Sequence, residues 1–189
     1  MRDRASTFPV LENRERIRRM RIWHCKYKTL QPLADFKNVE ELVIATFPDK
    51  TLSALASMRN LRYLHILHMP KITDLRELSH LSELESLALA TSPAWDASGK
   101  CTVVESLEPI AAITGLKHLE LFGVCPPSKS LASLEQLKNL QSARFSQYPK
   151  AEIDRFFLIT GVLNQFNPKP SLGHKPTSNR FGQTEPPRL

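Results

Sequence analysis

The pattern L-x-x-L-x-L, filled by leucine or an apolar equivalent, recurs six times in this chain at a nearly fixed interval. The copies begin at Ile17, Val39, Leu61, Leu84, Leu116 and Leu140, so successive starts lie 22, 22, 23, 32 and 24 residues apart. A period in this range constrains the fold more than any other feature. It marks a stack of short units, none of which buries its apolar face alone. Arrays of this kind offer an extended surface to another macromolecule.

Within each unit the motif is followed by a second one with apolar residues at every third position. Examples are Leu30-Leu33-Phe36, Leu52-Leu55-Met58, Leu75-Leu78-Leu81, Leu107-Ile110-Ile113 and Leu131-Leu134-Leu137. Spacing by three suits a short helix or 3₁₀ turn with one face turned inward. One unit therefore reads as strand, turn and helical return, and stacking aligns the strands into a parallel sheet with the leucines between sheet and turns. On these residues the chain resembles the leucine-rich repeat family over 17–148, and the spacing is most similar to its bacterial, internalin-like type. The resemblance implies an α/β solenoid of about six repeats, with a parallel β-sheet on the concave side and helical or 3₁₀ turns on the convex side. It also implies a binding role rather than a particular partner. The family places Asn or Cys at the ninth position of each repeat; here that position holds Cys25, Phe47, Met69, Ser92, Val124 and Tyr148. Only Cys25 conforms, so apolar packing is expected to replace a hydrogen-bonded ladder there.

Residues 1–16 read as an N-terminal cap. The fourth repeat carries about ten extra residues at Thr91–Cys101, whose Pro, Ser and Gly mark a loop with Trp95 within it. Two readings of this insertion stand side by side: a binding element, or a surface loop with Trp95 tucked onto the repeats. A solenoid exposes core at both ends. Residues 149–166 are expected to cap the last repeat with a helix running from Ala151 through Leu163, with Ile153, Phe156, Phe157 and Leu163 on its apolar face. From Asn167 the tail contains Pro168, Pro170, Pro176, Pro186 and Pro187 and little to bury, so residues 167–189 are expected to be disordered.

The net charge of +7 suggests nucleic acid until it is located. Residues 1–28 hold nine Lys/Arg against three Asp/Glu and the tail four against one, whereas 29–166 hold thirteen against fifteen. A phosphate-tracking groove carries its charge along its length; this array does not. The N-terminal residues show no secretory h-region, and no run reaches the roughly 18 apolar residues of a membrane span. Three cysteines without C-x-x-C spacing fit neither a disulfide framework nor a zinc site. The expectation is a cytoplasmic protein, with export by a route lacking a cleaved signal also open.

Alternation along a strand turns motif positions four and six inward and positions three, five and seven to the concave face. The candidate partner-binding residues are therefore Arg19, Arg21, Trp23, Tyr63, His65, Leu67, His118, Glu120 and Phe122, since exposed aromatic, apolar and Arg side chains dominate protein–protein hot spots. The small Ser86, Ala88 and Ala90 leave a dip in the fourth repeat. An alternative for position seven is that its side chains pack beneath neighbouring loops.

Chemistry finds little support. There is no P-loop, G-x-G-x-x-G, H-E-x-x-H or nucleophile elbow. His65 and His68 face opposite sides. The His118–Glu120 and Tyr63–His65 pairs share a face but lack a closed pocket, and His24 points away from Cys25 on a strand. No catalytic residue, metal or cofactor is assigned. The expectation is a non-catalytic module that binds a protein on its concave face, as an inhibitor, immunity protein or adaptor. A secreted bacterial effector engaging a host protein is the alternative, and RNA or other nucleic acid held by the basic N-terminus is a weaker one.

Overall fold

The computed structural model describes residues 4–23 and 25–171. His24 and the tail from residue 172 lie outside the described residues, so the expectation of disorder there finds no counterpart in the structure.

Each motif copy forms a strand at the expected place: β1 (Arg19–Ile22), β2 (Glu41–Ile44), β3 (Tyr63–Leu67) and β4 (Ser86–Ala90). The insertion supplies a short helix, α1 (Pro93–Ala97), and leads into β5 (Thr102–Val103). Then come α2 (Glu108–Ala111), β6 (His118–Phe122), β7 (Val124–Cys125), β8 (Ser142–Phe145), α3 (Lys150–Thr160) and β9 (Leu163–Asn164). Seven strands form one parallel sheet in the order β1-β2-β3-β4-β6-β8-β9, and β5 pairs with β7 in a second, two-stranded sheet on its flank.

The register follows the motif. Arg19, Glu41, Tyr63, Ser86, His118 and Ser142 are successive partners across the sheet, as are Arg21, Val43, His65, Ala88, Glu120 and Arg144. A one-residue slip would expose every leucine, so burial pins this register. Behind the sheet, the three-residue spacing forms 3₁₀ turns at Gln31–Asp35, Ser53–Leu55, Arg76–His80 and Ala132–Gln136, with α2 in the repeat after the insertion. The amide of Leu33 donates to the Leu30 carbonyl at 2.9 Å, and Leu55, Leu78 and Leu134 repeat that i→i+3 bond on Leu52, Leu75 and Leu131. Three residues per turn return each leucine to the same inward face.

Apolar packing at the ninth position holds for most repeats: Phe47, Met69, Val124 and Tyr148 are buried, and the Tyr148 hydroxyl donates to the Val124 carbonyl at 2.9 Å. An asparagine ladder nevertheless exists on the opposite turn, one residue before the motif. The Asn38 side chain donates to the Glu15 carbonyl at 2.9 Å, Asn60 to Lys37 at 3.3 Å and Asn139 to Thr114 at 2.8 Å. Each bond ties a repeat to the one before it.

Both ends are capped. Phe8 packs on Tyr27 and Phe36, with ring centroids 5.3 and 5.9 Å apart, and covers the first repeat. At the other end the Phe156 ring, fully buried, meets Phe145 edge-on at 5.2 Å, while Phe157 is half-buried beside them. The cap departs from expectation in one respect. The helix ends at Thr160, where Gly161 takes a φ of 68°, and the chain turns back so that Leu163–Asn164 adds a seventh strand beside β8. Leu163, expected on the helix face, is consequently exposed.

A two-part concave face as the candidate functional site

The curvature of the sheet decides which side chains of the concave rows meet solvent. Arg19 and Arg21 are exposed, and His65, Leu67, His118 and Phe122 are half-buried. Tyr63 and Glu120 depart from the expected exposure: only 8% and 5% of their surfaces remain accessible. A concave sheet crowds its outward side chains against those of adjacent strands, and here long neighbours lie over short ones. Arg144 on β8 closes over Glu120, its Nε donating to Oε2 at 2.6 Å, and its guanidinium lies 5.2 Å from the centre of the Phe122 ring. Trp23 also departs from the row. It lies one residue past the end of β1 and is half-buried.

Desolvation leaves its mark on the titrating groups of this face. Burial, with added repulsion from Glu120 and Glu41, pushes the Tyr63 hydroxyl up to about 12. Burial raises the Glu120 carboxyl even against the pull of Arg144, because a carboxylate this enclosed loses more hydration than one partly exposed guanidinium restores. Burial lowers His65, and burial followed by the Lys117 charge lowers His118, which favours the neutral imidazole in both.

Two depressions result. At the strand starts a cleft of about 680 Å³ lies over the dip left by Ser86, between Tyr63 and His118. Glu40, Glu41 and Glu85 edge it, paired with Arg18, Arg19 and Arg62 respectively. Gln141, Ser142 and Leu163 close one end, and Gln165, Asn167, Pro168 and Lys169 form a further wall. Here the expected disorder from residue 167 is corrected: the first five residues of that tail lie against the sheet, and Ser171 bonds Glu41. At the strand ends a smaller pocket of about 310 Å³ is lined by Leu67, Ala90, Phe122, Pro93 and Ala97, with Glu120 and Arg144 beside them. The partly covered position seven is thus explained: Leu67 and Phe122 sit beside the α1 segment rather than on open sheet.

The insertion is fixed, not free. Trp95 packs edge-on against His68 at 5.0 Å, and the Ser92 amide donates to His68 Nδ1 at 3.3 Å. Asp96 accepts from the Ser146 hydroxyl at 2.8 Å through its carboxylate and from the Gln147 amide at 2.9 Å through its carbonyl. Gly123 sits beneath at φ 66°, where a Cβ would come 2.5 Å from Thr91 Oγ1. Of the two readings of the insertion, the structure shows Trp95 tucked onto the repeats and α1 forming a pocket wall. The fifth motif position put Arg144 in the concave row beside Glu120, although it was not among the candidate residues, and no periodic signal announced Asp96.

His118 Nδ1 is 2.9 Å from the Ser142 hydroxyl and Glu120 is engaged by Arg144, so the two groups do not form an acid–base pair. Burial and the neighbouring Cys101 push the Cys125 thiol up to about 12, the reverse of what a nucleophile needs. Among the described residues no three His, Cys, Asp or Glu side chains cluster to hold a metal, and no helix is long and apolar enough to cross a membrane. The N-terminal arginines are largely turned to structure: Arg14 pairs with Asp35, Arg18 with Glu40 and Arg19 with Glu41.

A scan against protein-family models and a search of curated proteins return no match. Among solved structures, the chain is similar to internalin C2 from Listeria monocytogenes, with a TM-score of 0.52 and 22% sequence identity over 70% of this chain. The likeness covers 53% of the internalin chain, so this chain matches about half the length of that protein. At that identity the likeness shows the fold: together with the repeat register, a leucine-rich repeat solenoid similar to that of internalin C2.

Proposed function

We propose that the chain is a non-catalytic module that docks a protein partner on its concave face. The observation that carries this reading is the pocket at the strand ends. Leu67 and Phe122 present half-covered apolar surface there, α1 walls it, and the Glu120–Arg144 pair offers fixed polar groups at its side. A volume of about 310 Å³ is at the small end of ligand clefts, which span about 300–1,000 Å³. An apolar socket flanked by an ion pair whose carboxylate is buried and whose guanidinium is half-exposed matches the anatomy of a protein–protein hot spot, in which a few enclosed anchors carry most of the affinity. Arg19, Arg21, Trp23, Tyr63, His65 and His118 extend the contact surface around it. An inhibitor or adaptor role accords with a binding face that holds its charged groups in pairs; engagement of a host protein by an exported chain would use the same face. The three free thiols, Cys25, Cys101 and Cys125, accord with a reducing, cytoplasmic setting.

The test is affinity capture from a lysate of the source cells with the wild-type chain and with Leu67→Ala/Phe122→Ala, quantified by mass spectrometry. Both side chains are half-buried outside the leucine core, so the variant should keep its far-UV spectrum. Partners held by the wild type should be lost, since truncating a hot spot costs about 2 kcal/mol or more, roughly 30-fold in affinity. An identical set of captured proteins from a folded variant would remove the socket from the reading.

A further inference from the structure

The segment after β9 lies across the concave face in a manner that identifies what the polar cleft accepts. Ser171 meets β2 whereas Asn164 is in β9, five strand spacings away in the sheet order. At about 4.8 Å per strand that is roughly 24 Å. Seven residues reach at most roughly 25 Å when fully extended. The reach of the Glu41 side chain and the curve of the sheet shorten that span by several Å, so the segment crosses the strands in an extended but not fully straight path.

Its accessibility alternates with a period of two. Phe166, Pro168 and Pro170 are half-buried, whereas Gln165, Asn167, Lys169 and Ser171 are exposed. One edge of an extended ribbon thus lies against the sheet. At its far end Glu41 receives Ser171 twice, from the amide at 2.8 Å on one carboxylate oxygen and from the hydroxyl at 2.7 Å on the other. Lys169 shares the cleft with Glu40, Glu41 and Glu85, whose charges are already met by Arg18, Arg19 and Arg62, so backbone shape and the Ser171 latch rather than charge hold the segment. Two prolines restrict the backbone to extended conformations before contact, which reduces the entropy lost on docking.

We propose that the strand-start row is a groove for an extended, proline-containing segment, that residues 165–171 occupy it in cis, and that a partner's segment of the same character enters by displacing them. This inference rests on the concave-face reading and adds the partner's recognition element to it. The strap makes the groove self-occupied, and a latch that among the described residues consists of Ser171 on Glu41 makes the occupancy reversible.

The experiment uses the full chain. In the wild type, hydrogen exchange at the Ser171 amide should be slowed at least tenfold relative to a free peptide of residues 165–171, and Glu41→Ala should abolish the protection without altering exchange in β3 and β4. Ser171→Glu sets a carboxylate against Glu41 and should release the strap. A fluorescein-labelled peptide of residues 165–171, followed by polarisation, should then bind the Ser171→Glu chain at least tenfold more tightly than the wild type. Adding Glu41→Ala should remove that gain. A Ser171 amide exchanging at the free-peptide rate in the wild type would overturn the strap, and equal peptide affinity for wild type and Ser171→Glu would overturn the groove. The concave-face reading fails by a separate result: partner capture that survives Leu67→Ala/Phe122→Ala, which leaves the exchange protection at Ser171 standing.

Discussion

Removing the Phe156 ring tests how the end of the array is held. The side chain is fully buried, edge-on to Phe145 at 5.2 Å and to Phe157 at 5.5 Å. Burying a phenyl group from water is worth about 2–3 kcal/mol. The cavity left beside Phe145 and the lost ring–ring contacts raise the cost of Phe156→Ala to roughly 4 kcal/mol. For a chain of this size each kcal/mol shifts the melting temperature by about 2–4 °C, so the expected drop is roughly 8–16 °C. Leu158, two residues on, is 86% exposed, and Leu158→Ala should stay within about 0.5 kcal/mol of wild type. Urea titrations followed by far-UV circular dichroism measure both. Location adds a second readout. Repeats contact mainly their neighbours, so losing the cap should accelerate amide exchange in β8 far more than in β2. A Phe156→Ala chain within 1 kcal/mol of wild type, or one whose exchange rises equally in β2 and β8, would refute the capping argument.

Further outcomes can be measured on the same footing. Glu152 accepts from Arg155, from the Leu131 amide at 2.6 Å and from Ser130, and the Arg155 hydrogen bond first among these lowers its carboxyl from 4.5 to about 2. Its stabilisation is complete above about 4.5 and is lost as pH falls toward 2, so Glu152→Gln should flatten that limb of the acid unfolding curve. Burial lowers His65 from its ordinary 6.5, so stability present above 6.5 declines as pH drops below it, and His65→Gln should remove that component from melting curves taken between pH 7 and 5. Gly123→Ala should cost about 2–3 kcal/mol, because a positive φ coincides with a collision at Thr91. Gly161→Ala, with a similar φ and open space around it, should cost about 1 kcal/mol by thermal melting.

The inward half of this molecule was legible in the sequence because burial repeats: leucine at fixed spacing encodes strand, turn and register together, and Tyr63, His118 and their row fell where the motif put them. The outward half was legible only as a roster. Whether Tyr63 or Glu120 reaches solvent depends on how tightly the sheet curves and on which neighbour folds over it, and neither is written in a single repeat. Residues 167–171 were read by composition, and composition misleads where two prolines favour the extended shape that a groove can hold. The asparagines at 38, 60 and 139 carried a periodic signal that lies one residue outside the motif in which a ladder was sought.

The clasp at Asp96 alters how the chain would respond to force. From the fourth repeat the insertion reaches back to His68 in the third and forward to Ser146 and Gln147 in the sixth. The clasp thereby cross-braces four consecutive repeats outside the nearest-neighbour scheme; the first two lie outside it, the second joined to the far end of the array through Ser171 and Glu41. Pulled from its ends, such a chain should yield in two characters: early repeats peeling one at a time at low tension, then a single tall rupture in which the braced block surrenders together. The apolar socket of Leu67 and Phe122 lies within that block, so a complex tethered there could bear load while the N-terminal repeats act as its shock absorber.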